Sequence, residues 1–238
     1  ARLASLQKGY YGASIMPVPG LQELAARLPA LQLYNCYGQS EIAPLATVLR
    51  PEEHAERPAS AGRPIFNVET RIVDSDLNDV PAGEMGEIVH RSPQLMSGYW
   101  DKPEETAASF RDGWFRSGDV GYLDEAGYLY ITDRIKDIIK TGGVVVASRE
   151  VEECLYTHPA VAEVAVIGLP DERWIEAVTA VVALKQGAQA TAAELIAHVH
   201  ARLAAFKVPK RVFFVEDMPR NASGKLLKRE LRVRYAET

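Results

Sequence analysis

The feature that most limits what this chain can fold into is a change of hydrophobic pattern at one glycine pair, Gly142–Gly143. Before it, short alternating segments such as VETRIVD (68–74), GEIVHR (86–91) and GYLYITD (127–133) are separated by turn-rich DLNDVPAGEMG (76–86) and DEAGY (124–128). Period-two alternation between turn residues predicts strands. After it, longer helical and strand patterns follow one another. SREVEECLYTH (148–158) puts Val151, Cys154 and Leu155 on one side of a predicted helix. VAEVAVIGLP (161–170), AVTAVVAL (177–184) and KRVFFVED (210–217) predict strands. TAAELIAHVHARLAAF (191–206) spaces Leu195, Val199 and Leu203 as a helix does, behind a Thr191–Glu194 capping box. SGKLLKRELRVRYAE (223–237) predicts a last helix that starts on a glycine.

This change predicts a two-part chain of mixed α/β and α+β class. Residues 1–132 form the first part, with an α/β sheet remnant over 1–50 and a β-rich subdomain over 51–132. In the remnant, GYYGASIMP ends a strand, PGLQELAARLP (19–29) spaces leucines 21, 24 and 28 as a helix, and LQLYNCYGQSE (31–41) runs from strand into glycine turn. Residues 134–238 form a separate domain whose sheet is covered by helices.

Composition narrows the function classes. A net charge of −5 over 238 residues argues against a bulk nucleic-acid binder. Cys36 and Cys154 lie far apart and make no disulfide framework, and the five histidines have no zinc-ligand spacing. No apolar run reaches the roughly 18–20 residues of a membrane span. ARLASLQKGYYG lacks the apolar core of a signal peptide and reads as the interior of a longer chain. A reducing, cytoplasmic setting is expected; oligomeric state stays open.

Four segments carry candidate chemistry. YGQSE (37–41) joins a ring, a glycine, a hydroxyl and a carboxylate, which could stack on a purine, approach phosphate and hold Mg²⁺; the plain alternative is a polar turn after a strand. In RSGDVGYLDEAG (116–127), Asp119 follows a glycine near a hairpin, where a carboxylate could accept ribose hydroxyls; the alternative is an acidic turn. DRIKDIIKTGG (133–143) is read with Ile135, Ile138 and Ile139 packed on one side and Arg134, Lys136 and Lys140 free for anions, or else as a solvated linker. PRNASGKLLKREL (219–231) sets Lys225 after a glycine at a predicted helix start, which favours an anion, or is a plain helix cap at Asn221 or Ser223. It lacks the spacing of a Walker A loop. The acidic residues flanking His54 are read as plain surface.

In this order, YGQSE, GEIVHRSPQLMSGYW, WFRSGDVGY, DRIKDIIKTGG and PRNASGKLLKREL resemble the C-terminal half of the adenylate-forming superfamily, which includes fatty-acyl and benzoate-type CoA ligases and luciferases. The resemblance implies an acid–thiol ligase that uses ATP, Mg²⁺ and coenzyme A and acts on a fatty or aromatic acid. It implies that Tyr37 stacks on adenine beside Gly38, that Ser40 meets phosphate and that Glu41 is magnesium-associated. Asp119 and Arg134 would meet the ribose. Lys136 would be the hinge of a mobile C-terminal lid, and Lys225 the lysine that supports adenylation. Gly142 and Gly143 would line the pantetheine tunnel, and Trp174, Phe206 and Lys210 would meet the CoA nucleotide.

Three departures qualify the implied roles. The Ser/Thr/Gly-rich phosphate loop that the family places upstream is absent, so the chain is expected to be an incomplete fragment, inactive by itself. TGGVVVAS replaces the more usual Gly-Gly-Glu-Asn-Ile-x-Pro, and Ser40 stands for threonine. The competing readings are an adenylating enzyme with a carrier-protein acceptor and a non-catalytic nucleotide-binding fragment or pseudoenzyme.

Overall fold

The computed structural model describes residues 3, 5–12, 16, 18–221, 224 and 226–236. The chain divides into two compact units, Ala1–Ile135 and Lys136–Thr238.

The first unit opens with β1 (Lys8–Gly12), α1 (Val18–Arg27), β2 (Gln32–Tyr37), β3 (Thr47–Leu49) and β4 (Arg63–Pro64). These make a four-stranded sheet in chain order, with β1 and β2 parallel and the remaining pairs antiparallel. A parallel pair needs a crossover, which α1 supplies. A second sheet uses β5 (Glu69–Val73), β6 (Gly86–Arg91), β7 (Phe110–Arg111), β8 (Trp114–Leu123) and β9 (Leu129–Arg134), with α2 (Pro103–Ser109) leading into β7. Its order is β5-β6-β8-β7, and β9 also pairs with β8. Ala61, Ile72, Ile88 and Leu129 form one core cluster, against which Tyr37 packs. Gly62 links the sheets through an antiparallel bridge to Leu129. Its φ of +83° and the Val48 backbone lying where a Cβ would stand leave room only for glycine.

The second unit begins with the hairpin β10 (Ile139–Thr141) and β11 (Val144–Val146), turned by Gly142 and Gly143 at φ +56° and +81°. It continues with α3 (Ser148–Tyr156), β12 (Val161–Asp171), β13 (Ile175–Leu184), α4 (Ala192–His200), β14 (Arg211–Phe214) and α5 (Lys228–Tyr235). The sheet runs β11-β10-β13-β12, with β14 parallel to β13. Val164, Val166, Val178, Ala180 and Val182 join Val151, Leu155, Leu195 and Val199 in one core, which places α3 and α4 on that face. Ala165, Ile167, Leu169, Val181 and Ala183 join Leu231 of α5 in another. Burial on both faces is why these strands read as near-continuous apolar runs.

Several expectations shift. The Thr191–Glu194 capping box is present, but α4 stops at His200, and Leu203 packs on the core from beyond the helix. The last helix starts at Lys228 with Leu227 at its N-cap, after an antiparallel bridge between Arg220 and Leu226, so Asn221 does not cap it; Ser223 lies outside the described residues. Of the three isoleucines expected on one side, Ile139 is buried while Ile135 is 46% exposed. The reason is local: the segment divides into the end of β9, a 3-10 turn at Ile135–Asp137, and β10. Of the acidic residues beside His54, Glu52 and Glu56 are exposed as expected, but Glu53 is not plain surface. Glu53 accepts from the Tyr128 hydroxyl at 2.8 Å and from the Arg50 amide at 2.8 Å. No helix among the described residues is long and apolar enough to cross a membrane.

Two predictions follow from this architecture. Trypsin is expected to cut first after the exposed Lys136, giving fragments 1–136 and 137–238; a digest that begins inside either sheet overturns the two-unit description. The second concerns His90 on β6, whose ring is 1% exposed and whose Nδ1 meets Thr70 Oγ1 at 3.0 Å. Burial pushes its pKa from 6.5 down to about 4. The unfolded chain therefore takes up this proton first as pH falls. Stability is complete above about pH 6.5 and drops by about 3 kcal/mol by pH 4 through this residue alone. Urea melts from pH 7 to 4 should show a shallower decline for His90→Gln than for the parent chain.

Candidate functional site

The first unit gathers its polar residues around Asp119, which is 5% exposed. Register explains the position. β6 pairs Glu87 with Val120 and Val89 with Arg116, so Ser117, Gly118 and Asp119 together stand opposite Ile88. This bulge turns on Gly118 at φ +70° and is pinned by Ser117 Oγ, which donates to the Ile88 carbonyl at 2.6 Å and accepts from the Asp119 amide at 3.0 Å. A bulge re-aims a side chain that regular pleating would place elsewhere. Asp119 thus lies near the expected hairpin, on β8, which the turn at 124–128 joins to its antiparallel partner β9.

A buried carboxylate must be paired. Asp119 Oδ2 accepts from the Tyr37 hydroxyl at 2.8 Å and from Gln39 Nε2 at 2.9 Å. Arg134, its cross-strand partner on β9, sits with Nε 3.4 Å from Oδ1. The expectation of a free Arg134 is corrected here: the strand register holds it against Asp119. Gln39 Nε2 also donates to the Ser117 carbonyl at 2.9 Å, which fastens the YGQSE loop to the bulge. Burial first, then the Asp119 charge, holds the Tyr37 hydroxyl well above the usual tyrosine range, so it stays a donor.

The loop itself leaves β2 at Tyr37. A Cβ on Gly38 would collide with the Pro44 carbonyl, so the tight return to β3 requires glycine there. Ser40 is exposed and begins a 3-10 turn, Ser40–Ile42, that closes on Ala43 at φ +52°. Glu41 is half-buried, and its Oε1 accepts from the Tyr99 hydroxyl at 2.8 Å. No group of three or more His, Cys, Asp or Glu gathers as a metal cage among the described residues. Mg²⁺ keeps several waters and needs only one or two carboxylates beside substrate phosphates. Glu41, half-buried with Oε1 bonded to a neutral phenol, suits that mode.

In the second unit, the Gly142–Gly143 turn lies against Trp174. The Gly142 amide donates to the Trp174 carbonyl at 2.8 Å, and a Cβ on Gly142 would come within 3.1 Å of the indole. Lys210 Nζ stands 5.1 Å from the Trp174 ring centroid and donates to the Ala205 carbonyl at 3.3 Å, next to Phe206. Gly142, Trp174 and Lys210, scattered over the sequence, thus form one neighbourhood, with Phe206 following the Ala205 that Lys210 meets. Lys136 is exposed at the boundary of the units. Lys225 lies outside the described residues; α5 starts at Lys228.

Residue-type reasoning missed Gln39, Gln94, Tyr99 and Ser117. Each lay inside a quoted motif, but the partner that defines its role is 29 to 80 residues away.

The AMP-binding enzyme family matches residues 1–100, and the AMP-binding enzyme C-terminal domain matches residues 150–225. Feruloyl-CoA synthase from Amycolatopsis sp is 44% identical over 237 residues, covering 99% of this chain and 48% of that protein. Amide bond synthetase McbA from Marinactinospora thermotolerans superimposes with a TM-score of 0.90 at 40% identity, over 98% of this chain and 47% of McbA. The o-succinylbenzoate CoA synthetase MenE of Bacillus subtilis, solved with the acyl-adenylate intermediate OSB-AMP, gives 0.88 at 36% identity, over 95% and 46%. The chain spans about half the length of the curated relatives it matches. The two family matches fall in chain order, and identity of 36–44% extends over nearly every residue, so the chain belongs to the AMP-binding enzyme family.

Proposed function

We propose that this chain carries the nucleotide-binding loop and the mobile lid of an ATP-dependent carboxylic acid:CoA ligase acting in the cytoplasm on a fatty or aromatic acid. The observation that carries the proposal is the buried Asp119 carboxylate, held by Tyr37, Gln39 and Arg134 beside the YGQSE loop. A carboxylate fixed in this way can accept ribose hydroxyls.

In the first step, a carboxylate oxygen of the acid attacks the α-phosphorus of ATP and pyrophosphate leaves, giving an acyl-adenylate. Tyr37 and Gly38 flank the base, Asp119 and Arg134 hold the ribose, and Ser40 hydrogen-bonds phosphate. Mg²⁺, held through Glu41, neutralises phosphate charge when bound. Lys225 offsets the negative charge that develops on the α-phosphate and the carboxylate. In the second step, the lid turns about Lys136, and the CoA thiolate attacks the acyl carbon as AMP leaves. Gly142, Gly143, Trp174, Phe206 and Lys210 serve that step. A division of the chain between Ile135 and Lys136 supports the hinge role, because a hinge is a short segment that absorbs backbone rotation.

A second reading, with a carrier-protein pantetheine as acceptor, is favoured by the apolar hairpin tip. Val144 and Val145 are 42% and 59% exposed where the family more usually has a polar Glu-Asn pair. Comparing free CoA with pantetheinylated carrier protein as acceptor separates the two.

Two half-reaction measurements on the full-length protein test the roles. Lys225→Ala should cut adenylation, read as acid-dependent pyrophosphate exchange, by on the order of 10²–10³-fold. Thioester formation from supplied acyl-adenylate should change by less than about tenfold; equal losses in both steps, or none, refute the assignment. Lys136→Pro should do the reverse, slowing thioester formation far more than adenylation, because proline fixes φ at the hinge.

A further inference from the structure

The segment SPQLMSGYW (92–100) brackets Glu41 from three directions. The Met96 amide donates to the Glu41 carbonyl at 2.8 Å. Gln94 Nε2 donates to the carbonyls of Ile42 at 2.6 Å and Leu45 at 2.7 Å, while its Oε1 accepts from Asn67 Nδ2 at 2.6 Å. The backbone on either side of the Glu41 side chain is therefore fixed. What remains is rotation of the side chain, which among the described residues the Tyr99 hydroxyl, 2.8 Å from Oε1, restrains.

Tyr99 is itself anchored. Its amide donates to Thr106 Oγ1 of α2 at 2.9 Å, and Thr106 Oγ1 donates to the carbonyl of Lys102, the N-cap of that helix, at 2.7 Å. The ring is half-buried, and the Ser109 side chain also faces its oxygen. A phenol on a short anchored loop is a better orienting group than a long flexible side chain, because little rotamer freedom is lost in holding it.

We infer that Tyr99 is a positioning residue for the metal-associated carboxylate: its hydroxyl donates to Oε1 of Glu41 and so orients the carboxylate that would hold the cation. The inference rests on the proposed reading of Glu41. It leaves the carboxylate acceptor capacity beyond that bond, which fits a Mg²⁺ that keeps several waters and needs only one or two carboxylates. It also assigns a purpose to the tyrosine of the GYW segment, which the nucleotide-site roles proposed above leave without one.

The test uses the full-length protein and its Tyr99→Phe, Glu41→Gln and doubly substituted forms. Calorimetry reads the dissociation constant of ATP with Mg²⁺ and, separately, with chelator. Phenylalanine keeps the ring and its packing and removes only the donor. Tyr99→Phe should weaken Mg²⁺-ATP binding about tenfold, the scale of a hydrogen bond to a charged group. Metal-free ATP should bind within about twofold of the parent. In the Glu41→Gln background, Tyr99→Phe should add nothing, because the two residues act as one unit. If Tyr99→Phe binds Mg²⁺-ATP as the parent does, or weakens both nucleotide forms equally, or adds its full effect to Glu41→Gln, the positioning role is overturned while the reading of Glu41 stands. If Glu41→Gln leaves the gain from Mg²⁺ unchanged, the metal role of Glu41 fails and the inference fails with it.

Discussion

The first unit depends on one buried negative charge. Asp119 lies almost out of contact with solvent, where an unpaired carboxylate would cost several kcal/mol. Its partners come from three separate places: Tyr37 and Gln39 from the loop after β2, and Arg134 from the end of β9. Satisfying that charge therefore fixes the loop of one sheet against the bulge of the other. The same groups that make the carboxylate tolerable also set its direction, so the stability of the fold and the geometry proposed for ribose binding are one arrangement.

Around that point the polar groups are arranged as supports rather than as isolated reactive residues. Ser117 pins the bulge that aims Asp119, Gln94 bridges two carbonyls of the YGQSEIAPL loop, and Tyr99 meets Glu41. Each is a neutral donor placed against a carbonyl or a carboxylate. Such donors orient a charge without adding one, which leaves the site able to take up an anionic nucleotide and a cation together. Its longest contacts, Tyr37 with Asp119 and Gln39 with Asp119, span 82 and 80 residues of sequence, so no short segment can form it alone.

The second unit is built on a different constraint. Its central strands β12 and β13 bury side chains on both faces, alternate residues joining two separate cores. This leaves the hairpin tip at Gly142–Gly143 and the neighbouring Trp174 at the edge of the core, with the cation of Lys210 over the indole. An aromatic face with a lysine beside it, next to a glycine turn that admits close backbone approach, suits an anionic ligand with an apolar arm.

Much of this was determined by the sequence alone. The change of period at Gly142–Gly143 fixed the contrast between turn-broken strands and helix–strand alternation, because periods of two and 3.6 bury different faces. Local chemistry likewise set the Thr191–Glu194 capping box, the glycine-specific hairpin turn and the helical faces of α3 and α4. Element ends were less legible. The stretch after His200 and the residues before Lys228 have helical composition, and tertiary pairing, such as the Arg220–Leu226 bridge, overrides it. The motifs named Tyr37, Glu41, Asp119 and Arg134, but only the tertiary structure decided that Arg134 is paired, that Asp119 sits on a bulged strand, and that Gln39 and Tyr99 hold the two carboxylates. Those facts depend on strand register and on contacts between distant segments. A donor and an acceptor 58 or 80 residues apart leave no pattern in one sequence, and only folding brings them within 3 Å.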